Sequence, residues 1–263
     1  MTNNDKFLNK LKAKKEILTA NVVDPITKET IKYNIVNQTT LWRAQTIFSK
    51  EPITISWIRS FKKNKCMFDI GANVGIYSIY AAKTKRVNVY AFEPESNNFQ
   101  NLMQNININN LNTFVIPFPI GISDITELSK LQISSFESGS SHHTVGKNHL
   151  DHNTLNIITS KLTQGIFSTT LDDLCFKWNL PIPSYLKIDV DGIENKIIDK
   201  AKNVLKDSNL HSVLIEINEN RNEDINIIKL LLKIGFNYDK SQVDDARRNS
   251  GSHKGYAEYL FYK

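Results

Sequence analysis

From about residue 66 onward, the sequence alternates short apolar runs with longer amphipathic stretches. Short apolar runs are typical of buried β-strands, whereas apolar residues three and four positions apart are typical of helices packed on one face. The runs predict strands at Cys66–Ile70, Asn88–Phe92, Thr113–Ile120, Tyr185–Asp189 and Ser212–Ile217, and a closing pair at 235–238 and 255–261. This alternation predicts a Rossmann-like α/β fold: a mostly parallel seven-stranded sheet with helices on both faces and a closing antiparallel strand.

The stretches between these strands predict helices with one apolar face. The residues expected on those faces are Ile76, Ile79 and Tyr80, then Phe99, Leu102, Met103 and Ile106, and later Ile193, Ile197, Ile198, Ala201, Val204 and Leu205. Thr170, followed three residues later by Asp173, is typical of the hydroxyl cap of a short helix through Trp178. A further helix is predicted over Asp224–Lys233.

Nearly fifty residues, from Ser123 to Ser168, interrupt the alternation. They include four histidines and show little periodicity, so we expect an irregular insertion at about 124–168. Long irregular segments in compact domains usually serve binding sites. We therefore expect an N-terminal helical or extended segment over 1–60, packed on the core, and a Rossmann-like domain over 61–263 that contains the insertion.

Composition narrows the class of protein. The chain has 263 residues, of which 40% are hydrophobic, and no apolar stretch long enough for a membrane span. We expect a cytoplasmic location, since the N-terminus lacks the apolar core of a signal peptide. Two cysteines cannot build a disulfide framework or a four-cysteine zinc site. The net charge of +6 comes from basic residues spread over the whole chain, so we expect no nucleic-acid partner.

The segment Phe68–Gly75 lies at a predicted strand-to-helix turn, and Glu93 ends the next strand. Glycines let the backbone approach a ligand at such a turn, and the helix N-terminus offers free amides. An acid at the end of the second strand is placed to accept ribose hydroxyls. A dinucleotide fingerprint needs glycine at 73 and 76, where this chain has Asn73 and Ile76, so NAD is disfavoured.

These motifs resemble a known family. The segment DIGANVGIYS (69–78) with Phe92-Glu93-Pro94 is similar to the S-adenosylmethionine site of class I methyltransferases of the FkbM type. TTLDDL (169–174), YLKIDVDGIE (185–194) and VLIE (213–216) follow in the family's order, so that the resemblance covers about 42–218. Residues 43–52 and Trp57-Ile58 also resemble the N-terminal part of some members. The family usually has Glu where this chain has Asp191.

The resemblance implies an S-adenosyl-L-methionine-dependent methyltransferase that methylates a hydroxyl of a glycan or a small-molecule metabolite. The alternatives are a nucleic-acid methyltransferase and a non-catalytic nucleotide-binding module of the same fold. The cofactor-binding residues that it implies are Gly71, Ala72, Asn73, Gly75 and Glu93. Asp69 would face the ammonium group of the cofactor, Ser78 would assist, and Gly121–Ser123 would contact the adenine.

A hydroxyl acceptor needs a base. Asp189, at the end of the fourth predicted strand, is the first candidate for a base, an orienting carboxylate or a metal ligand, and Glu216 at the end of the fifth is the second. His142 and His143 of the insertion, with His149 and His152 nearby, are further candidates for base or acceptor contact. Whether a divalent metal such as magnesium, held by Asp189 and Glu216, takes part stays open at this point.

Overall fold

A computed structural model describes residues 18–151, 156–160, 162–251 and 253–263. The first 17 residues of the predicted N-terminal segment, and His152 of the predicted insertion, lie outside the described residues. Within the described ranges, no helix has both the length and the apolar character that a membrane span requires.

Residues 18–60 form a hairpin followed by two helices. These elements are β1 (Thr19–Val23), β2 (Thr30–Asn34), α1 (Gln38–Gln45) and α2 (Pro52–Arg59). Asn37 caps α1, because its side chain accepts a hydrogen bond from the backbone N–H of Thr40. The buried side chains of Ile31, Tyr33 and Ile58 belong to the core cluster that lies against the central sheet. The described part of the N-terminal segment therefore packs on the core.

The first half of the central sheet follows the predicted alternation. Its elements are β3 (Cys66–Ile70), α3 (Ile76–Lys85), β4 (Asn88–Phe92), α4 (Ser96–Ile108) and β5 (Val115–Phe118). β3 and β4 have the predicted bounds. β5 is shorter than the predicted strand over 113–120, because residues 112–114 form a turn.

The insertion is not irregular, which corrects the expectation for residues 124–168. The chain from Gly121 to Thr169 contains β6 (Gly121–Ile122), β7 (Glu127–Ile133), β8 (Thr144–Val145), β9 (His149–Leu150), β10 (Ile157–Ile158) and β11 (Leu162–Thr169). Four of these strands form a second sheet in the order β6-β11-β7-β8, and β9 pairs with β10. These strands give a weak apolar pattern, because the second sheet buries only a small core of Leu131, Ile133 and Ile166. Leu128 of β7 is apolar but exposed.

The second half of the chain completes the central sheet. Its elements are α5 (Leu171–Phe176), β12 (Tyr185–Ile188), α6 (Glu194–Asp199), α7 (Lys202–Lys206), β13 (Ser212–Asn218), α8 (Asn222–Ile234), β14 (Asn237–Tyr238), α9 (Lys240–Ala246) and β15 (Tyr256–Tyr262). Thr170 caps α5 as predicted, since its side chain accepts from the backbone N–H of Asp173. The polar segment between the last two strands includes a helix, α9, which the pattern did not indicate.

The central sheet has the order β14-β15-β13-β12-β3-β4-β5. The five strands from β13 to β5 are parallel, and β15 runs antiparallel to both neighbours. This confirms the predicted mostly parallel seven-stranded sheet with a closing antiparallel strand. Since β12 lies between β3 and β13, the carboxyl ends of these strands meet at one edge, where sheets of this kind bind ligands.

Helix α4 departs from the predicted pattern on one side. Met103 was expected in the core but is 46% exposed. A row of buried asparagines, including Asn101 and Asn105, faces the N-terminal hairpin instead. The backbone N–H of Asn34 donates to Oδ1 of Asn105 over 2.6 Å, and its side-chain amide donates to Asn101 over 3.0 Å. Hydrogen bonds to β2, which hydrophobic periodicity cannot register, therefore fix the rotation of this helix.

Candidate active site

A cavity of about 350 Å³ opens at the carboxyl edge of the central sheet. One part of its lining, which we call the glycine-turn wall, consists of Gly71, Asn73, Glu93, Ile120, Gly121 and Ile122. A second part, which we call the charged wall, consists of Arg43, Lys50, Glu51, Asp189, Glu216 and Arg248. Predicted site residues from three separate motifs therefore line the same space.

Gly71 forms the turn between β3 and α3. Its φ angle is +80°, and a Cβ atom at this position would overlap the backbone carbonyl oxygen of Asp189. Only glycine fits both this left-handed conformation and the close approach of the next strand. Gly75 also has a positive φ and begins α3, but it packs against Leu102 and does not line the cavity. Gly75 thus serves the turn rather than a cavity wall.

Glu93 is buried at the end of β4, beside the glycine turn. Its Oε2 atom accepts a hydrogen bond from the backbone N–H of Asn73 over 2.8 Å, and Oε1 accepts from the N–H of Glu95 over 2.8 Å. Burial raises the pKa of Glu93 to about 8, although both amides favour the carboxylate. The carboxyl group therefore braces the turn that it adjoins, and its oxygens keep further lone pairs toward the cavity.

Several predicted residues lie behind the glycine-turn wall rather than on it. Asp69 is 1% exposed, is not among the lining residues, and accepts a hydrogen bond from the Ser78 hydroxyl over 2.5 Å. The expectation that Asp69 faces a ligand's ammonium group is therefore corrected: burial raises the pKa of this carboxyl, and Ser78 supports it from α3. Ala72 and Ser123 are also buried outside the lining, whereas Gly121 lines the cavity.

Asp189 follows β12 and forms an ion pair with Lys187, whose Nζ atom lies 2.8 Å from Oδ2. Burial alone would raise the pKa of Asp189, but the ammonium of Lys187 holds it well below its usual range. Lys187 is 4% exposed, and the carboxylates of Asp189, Asp69 and Glu51 together raise its pKa against the effect of burial. Asp189 is thus an ionised carboxylate on the cavity wall near neutral pH.

Glu216 lies on the neighbouring strand β13 and behaves differently. Burial, reinforced by the charge of Asp189, raises the pKa of Glu216 to about 8. Nη1 of Arg248 lies 2.7 Å from Oε1 of Glu216 and partly opposes this shift. The two predicted carboxylates therefore share a cavity but differ in protonation near neutral pH, which is how active sites separate acid–base roles.

The two predicted histidines occupy different positions. His143 lines the cavity, and its Nδ1 accepts a hydrogen bond from the backbone N–H of Ser134 over 3.3 Å. Because burial lowers the pKa of His143 to about 4, the ring is neutral at pH 7 and carries its proton on Nε2. His142 is not a lining residue; its backbone N–H donates to Asp191 over 2.6 Å, and its ring stacks on His253.

Sequence reasoning missed much of the charged wall. Arg43, Lys50 and Glu51 come from α1 and the segment before α2, while Arg248 comes from the segment before β15. The resemblance of residues 43–52 to the N-terminal part of some family members was the available signal for the first three. Nothing in the local pattern around Arg248 distinguished it from a solvated basic loop. Within the described residues, no group of three or more His, Cys, Asp or Glu side chains is arranged to hold a metal.

The methyltransferase FkbM domain model matches residues 69–238, which is more than half of the chain. This chain belongs to the FkbM methyltransferase family. It is therefore an S-adenosyl-L-methionine-dependent methyltransferase, and the predicted resemblance and cofactor are confirmed.

Individual relatives are distant. The chain is 22% identical over 186 residues to the hexuronic acid methyltransferase AglP of Haloferax volcanii, covering 71% of this chain and 70% of that protein. A segment of 61 residues is 39% identical to a tRNA (guanine(37)-N(1))-methyltransferase of Batrachochytrium dendrobatidis, covering 23% of this chain and 13% of that protein. Among solved structures, TYW2 of M. jannaschii in complex with AdoMet gives a TM-score of 0.46 at 15% identity, with 95% of both chains covered.

Proposed function

We propose that this methyltransferase methylates a hydroxyl group of a glycan or a small-molecule metabolite. The observation that supports this best is the position of Glu216, a carboxyl group with a raised pKa that shares a cavity with the glycine turn. The relative AglP is named as a hexuronic acid methyltransferase, which favours a sugar as acceptor. An acid–base group is needed for a hydroxyl acceptor, because a neutral hydroxyl is a weak nucleophile.

In this proposal the cofactor lies along the glycine-turn wall. The backbone of Gly71 and the side chain of Asn73 lie beside the methionine part, and Glu93 accepts the ribose hydroxyls. Gly121, between Ile120 and Ile122, provides an apolar surface for the adenine. Asp189, rather than Asp69, is the carboxylate that faces the ammonium group, because it is ionised and its carbonyl adjoins Gly71.

When bound, S-adenosyl-L-methionine would supply a methyl group on a cationic sulfur for transfer to the acceptor oxygen, with S-adenosylhomocysteine as the leaving group. Glu216 takes the hydroxyl proton, since a carboxylate with a pKa of about 8 is a far stronger base than Asp189. Arg248 keeps the Glu216 carboxylate oriented. His143 is the poorer base, because Ser134 already occupies the lone pair on Nδ1; it is instead placed to donate a hydrogen bond from Nε2.

The test combines binding of S-adenosylhomocysteine with transfer of labelled methyl groups to a panel of neutral and acidic saccharides. Glu216→Gln should keep the affinity for S-adenosylhomocysteine and reduce turnover by about 100-fold or more. Asp189→Asn should weaken that affinity. Glu223→Gln, on the exposed face of α8, is the matched control. Turnover unchanged in Glu216→Gln would contradict the assignment of the base.

Two controls address the alternatives. In the wild type, kcat/KM should rise with pH through about 8, since the base must lose its proton before it can act. Activity should survive EDTA, and loss that magnesium restores would contradict the metal-free mechanism. Methyl transfer to RNA with no transfer to any saccharide would favour the nucleic-acid alternative. Binding of S-adenosylhomocysteine without transfer to either class would favour the non-catalytic one.

A further inference from the structure

We propose that Arg43 binds the carboxylate at the methionine end of S-adenosyl-L-methionine, which makes helix α1 part of the cofactor site. The proposal rests on the proposed placement of the cofactor along the glycine-turn wall. It concerns a residue of the N-terminal segment, outside the 69–238 range that matches the family model.

The ion pairs of the cavity single out Arg43. Three arginine or lysine side chains line the cavity, and two of them already have carboxylate partners: Lys50 pairs with Glu51, and Arg248 pairs with Glu216. Within the described ranges, no carboxylate lies within ion-pair distance of Arg43. Among the basic side chains of the cavity, Arg43 is therefore the one that can form an ion pair with an anionic ligand.

The guanidinium of Arg43 is held in place next to the glycine turn. Its Nε donates to the backbone carbonyl of Gly139 over 2.6 Å. The next carbonyl, that of Ser140, accepts from the side-chain amide of Asn73 over 2.7 Å and from that of Asn98 over 3.1 Å. Adjacent carbonyls thus fix Arg43 and Asn73 relative to each other, and a pre-oriented arginine loses little side-chain entropy when it binds.

The chemistry of the ligand requires such a partner. The methionine end carries a carboxylate, and the cavity is lined by five acids: Glu51, Glu93, Asp189, Asp191 and Glu216. A carboxylate placed among these groups without a cation would be strongly disfavoured. The planar fork of an arginine matches both oxygens of a carboxylate. Arg43 lines the same cavity as Asp189, the carboxylate proposed to face the ammonium group, and its charge adds to those of Lys187 and Lys50 in lowering the pKa of Asp189.

The decisive experiment compares two ligands that differ only in the carboxylate: S-adenosylhomocysteine and its decarboxylated analogue, 5′-(3-aminopropylthio)-5′-deoxyadenosine. Their affinities are measured by calorimetry for the wild type, Arg43→Gln and Arg43→Lys. Arg86→Gln, which removes the same charge from an exposed site at the end of α3, is the control. We expect Arg43→Gln to lower the affinity for S-adenosylhomocysteine by about 10- to 100-fold and the affinity for the analogue by less than threefold. Arg43→Lys should restore part of the loss.

Each other outcome has a distinct meaning. Equal affinity of the wild type and Arg43→Gln for S-adenosylhomocysteine would overturn the role of Arg43 and leave the proposed function intact; this arginine would then face the acceptor. If Arg43→Gln and Arg43→Lys lowered the affinity for both ligands equally, the proposed role of Arg43 would also be overturned, since the residue would then act only through the shape of the cavity. Failure of the wild type to bind S-adenosylhomocysteine would overturn the proposed cofactor site itself.

Discussion

The two walls of the cavity are encoded in different ways. The glycine-turn wall comes from the consecutive elements between residues 71 and 122: the turn after β3, which Glu93 braces, and the segment that follows β5. The charged wall joins residues far apart in sequence: Arg43 from α1, Asp189 after β12, Glu216 from β13 and Arg248 before β15. A wall built from neighbouring elements can be inferred from a motif, whereas a wall assembled by tertiary packing has no local signature.

The difference extends to electrostatics. On the charged wall, Asp189 is held ionised by Lys187, while burial leaves Glu216 with a pKa of about 8. Both residues end neighbouring parallel strands and look equivalent in the sequence. They differ because Lys187, two residues before Asp189, pairs with that carboxylate, whereas Glu216 is buried beside the charge of Asp189 and is only partly compensated by the distant Arg248. The local motif therefore indicates the cofactor, and the assembled wall carries the carboxyl groups proposed for the acid–base step.

The largest effect is expected at the glycine-turn wall. Gly71→Ala would put a Cβ atom against the carbonyl of Asp189 at a positive φ, so we expect a loss of about 3 kcal/mol in unfolding free energy and no measurable binding of S-adenosylhomocysteine. Urea unfolding and calorimetry measure the two quantities. Gly146→Ala is the control, because Gly146 also has a positive φ but no atom near its Cβ position. If Gly71→Ala bound S-adenosylhomocysteine with normal affinity, the close approach of Gly71 to the Asp189 carbonyl would not be needed for binding.

How much the sequence could predict follows the same division. β3 and β4 were predicted with their observed bounds, and Thr170 was predicted as the cap of α5, because each depends on neighbours a few residues away. Glu93 was singled out because it ends β4 beside a glycine turn. These features need only local propensity and the known behaviour of parallel strands.

The errors have a common physical cause. Met103 was placed in the core because periodicity counts apolar residues, whereas hydrogen bonds from buried asparagines set the rotation of α4. Asp69 was placed at the ligand because it precedes a glycine, but its side chain points to Ser78. In both cases a polar contact with a distant or buried partner decided the geometry, and hydrophobic patterning contains no information on such contacts.

A second prediction tests whether the two walls depend on each other. Asn98 on α4 connects them, since its Oδ1 accepts from the backbone N–H of Gly139 over 2.6 Å and its amide donates to Ser140. Asn98→Ala removes the acceptor of the Gly139 N–H and one of the two amides that donate to the Ser140 carbonyl, so we expect a loss of about 2 kcal/mol in unfolding free energy and weaker binding of S-adenosylhomocysteine. Asn109→Ala, which removes bonds from the end of the same helix to Lys32 of β2, should destabilise similarly without weakening binding. Equal effects of both variants on binding would show that Gly139 and Ser140 do not couple the walls.

A third prediction uses the pH dependence of stability. His143 has a pKa of about 4 in the folded protein because of burial, against about 6.5 in an unfolded chain. The unfolded chain therefore takes up this proton first as the pH falls, so its contribution to stability is complete above pH 6.5 and is lost toward pH 4. Between pH 7 and pH 5 the wild type should lose roughly 2 kcal/mol more than His143→Asn. Urea unfolding at both pH values measures this difference. Equal losses of unfolding free energy in the wild type and in His143→Asn would contradict the burial of a neutral His143 ring.

The smallest effect is expected at a feature that belongs to neither wall. The Thr170 side chain caps α5 by accepting from the N–H of Asp173 over 3.0 Å, and it does not line the cavity. Thr170→Ala should therefore cost about 1 kcal/mol in unfolding free energy and leave the affinity for S-adenosylhomocysteine unchanged, while Thr170→Ser should restore stability. Weaker binding in Thr170→Ala would mean that general stability, and not the geometry of the walls, limits binding. The losses measured for Gly71→Ala and Asn98→Ala could then no longer be assigned to the cavity.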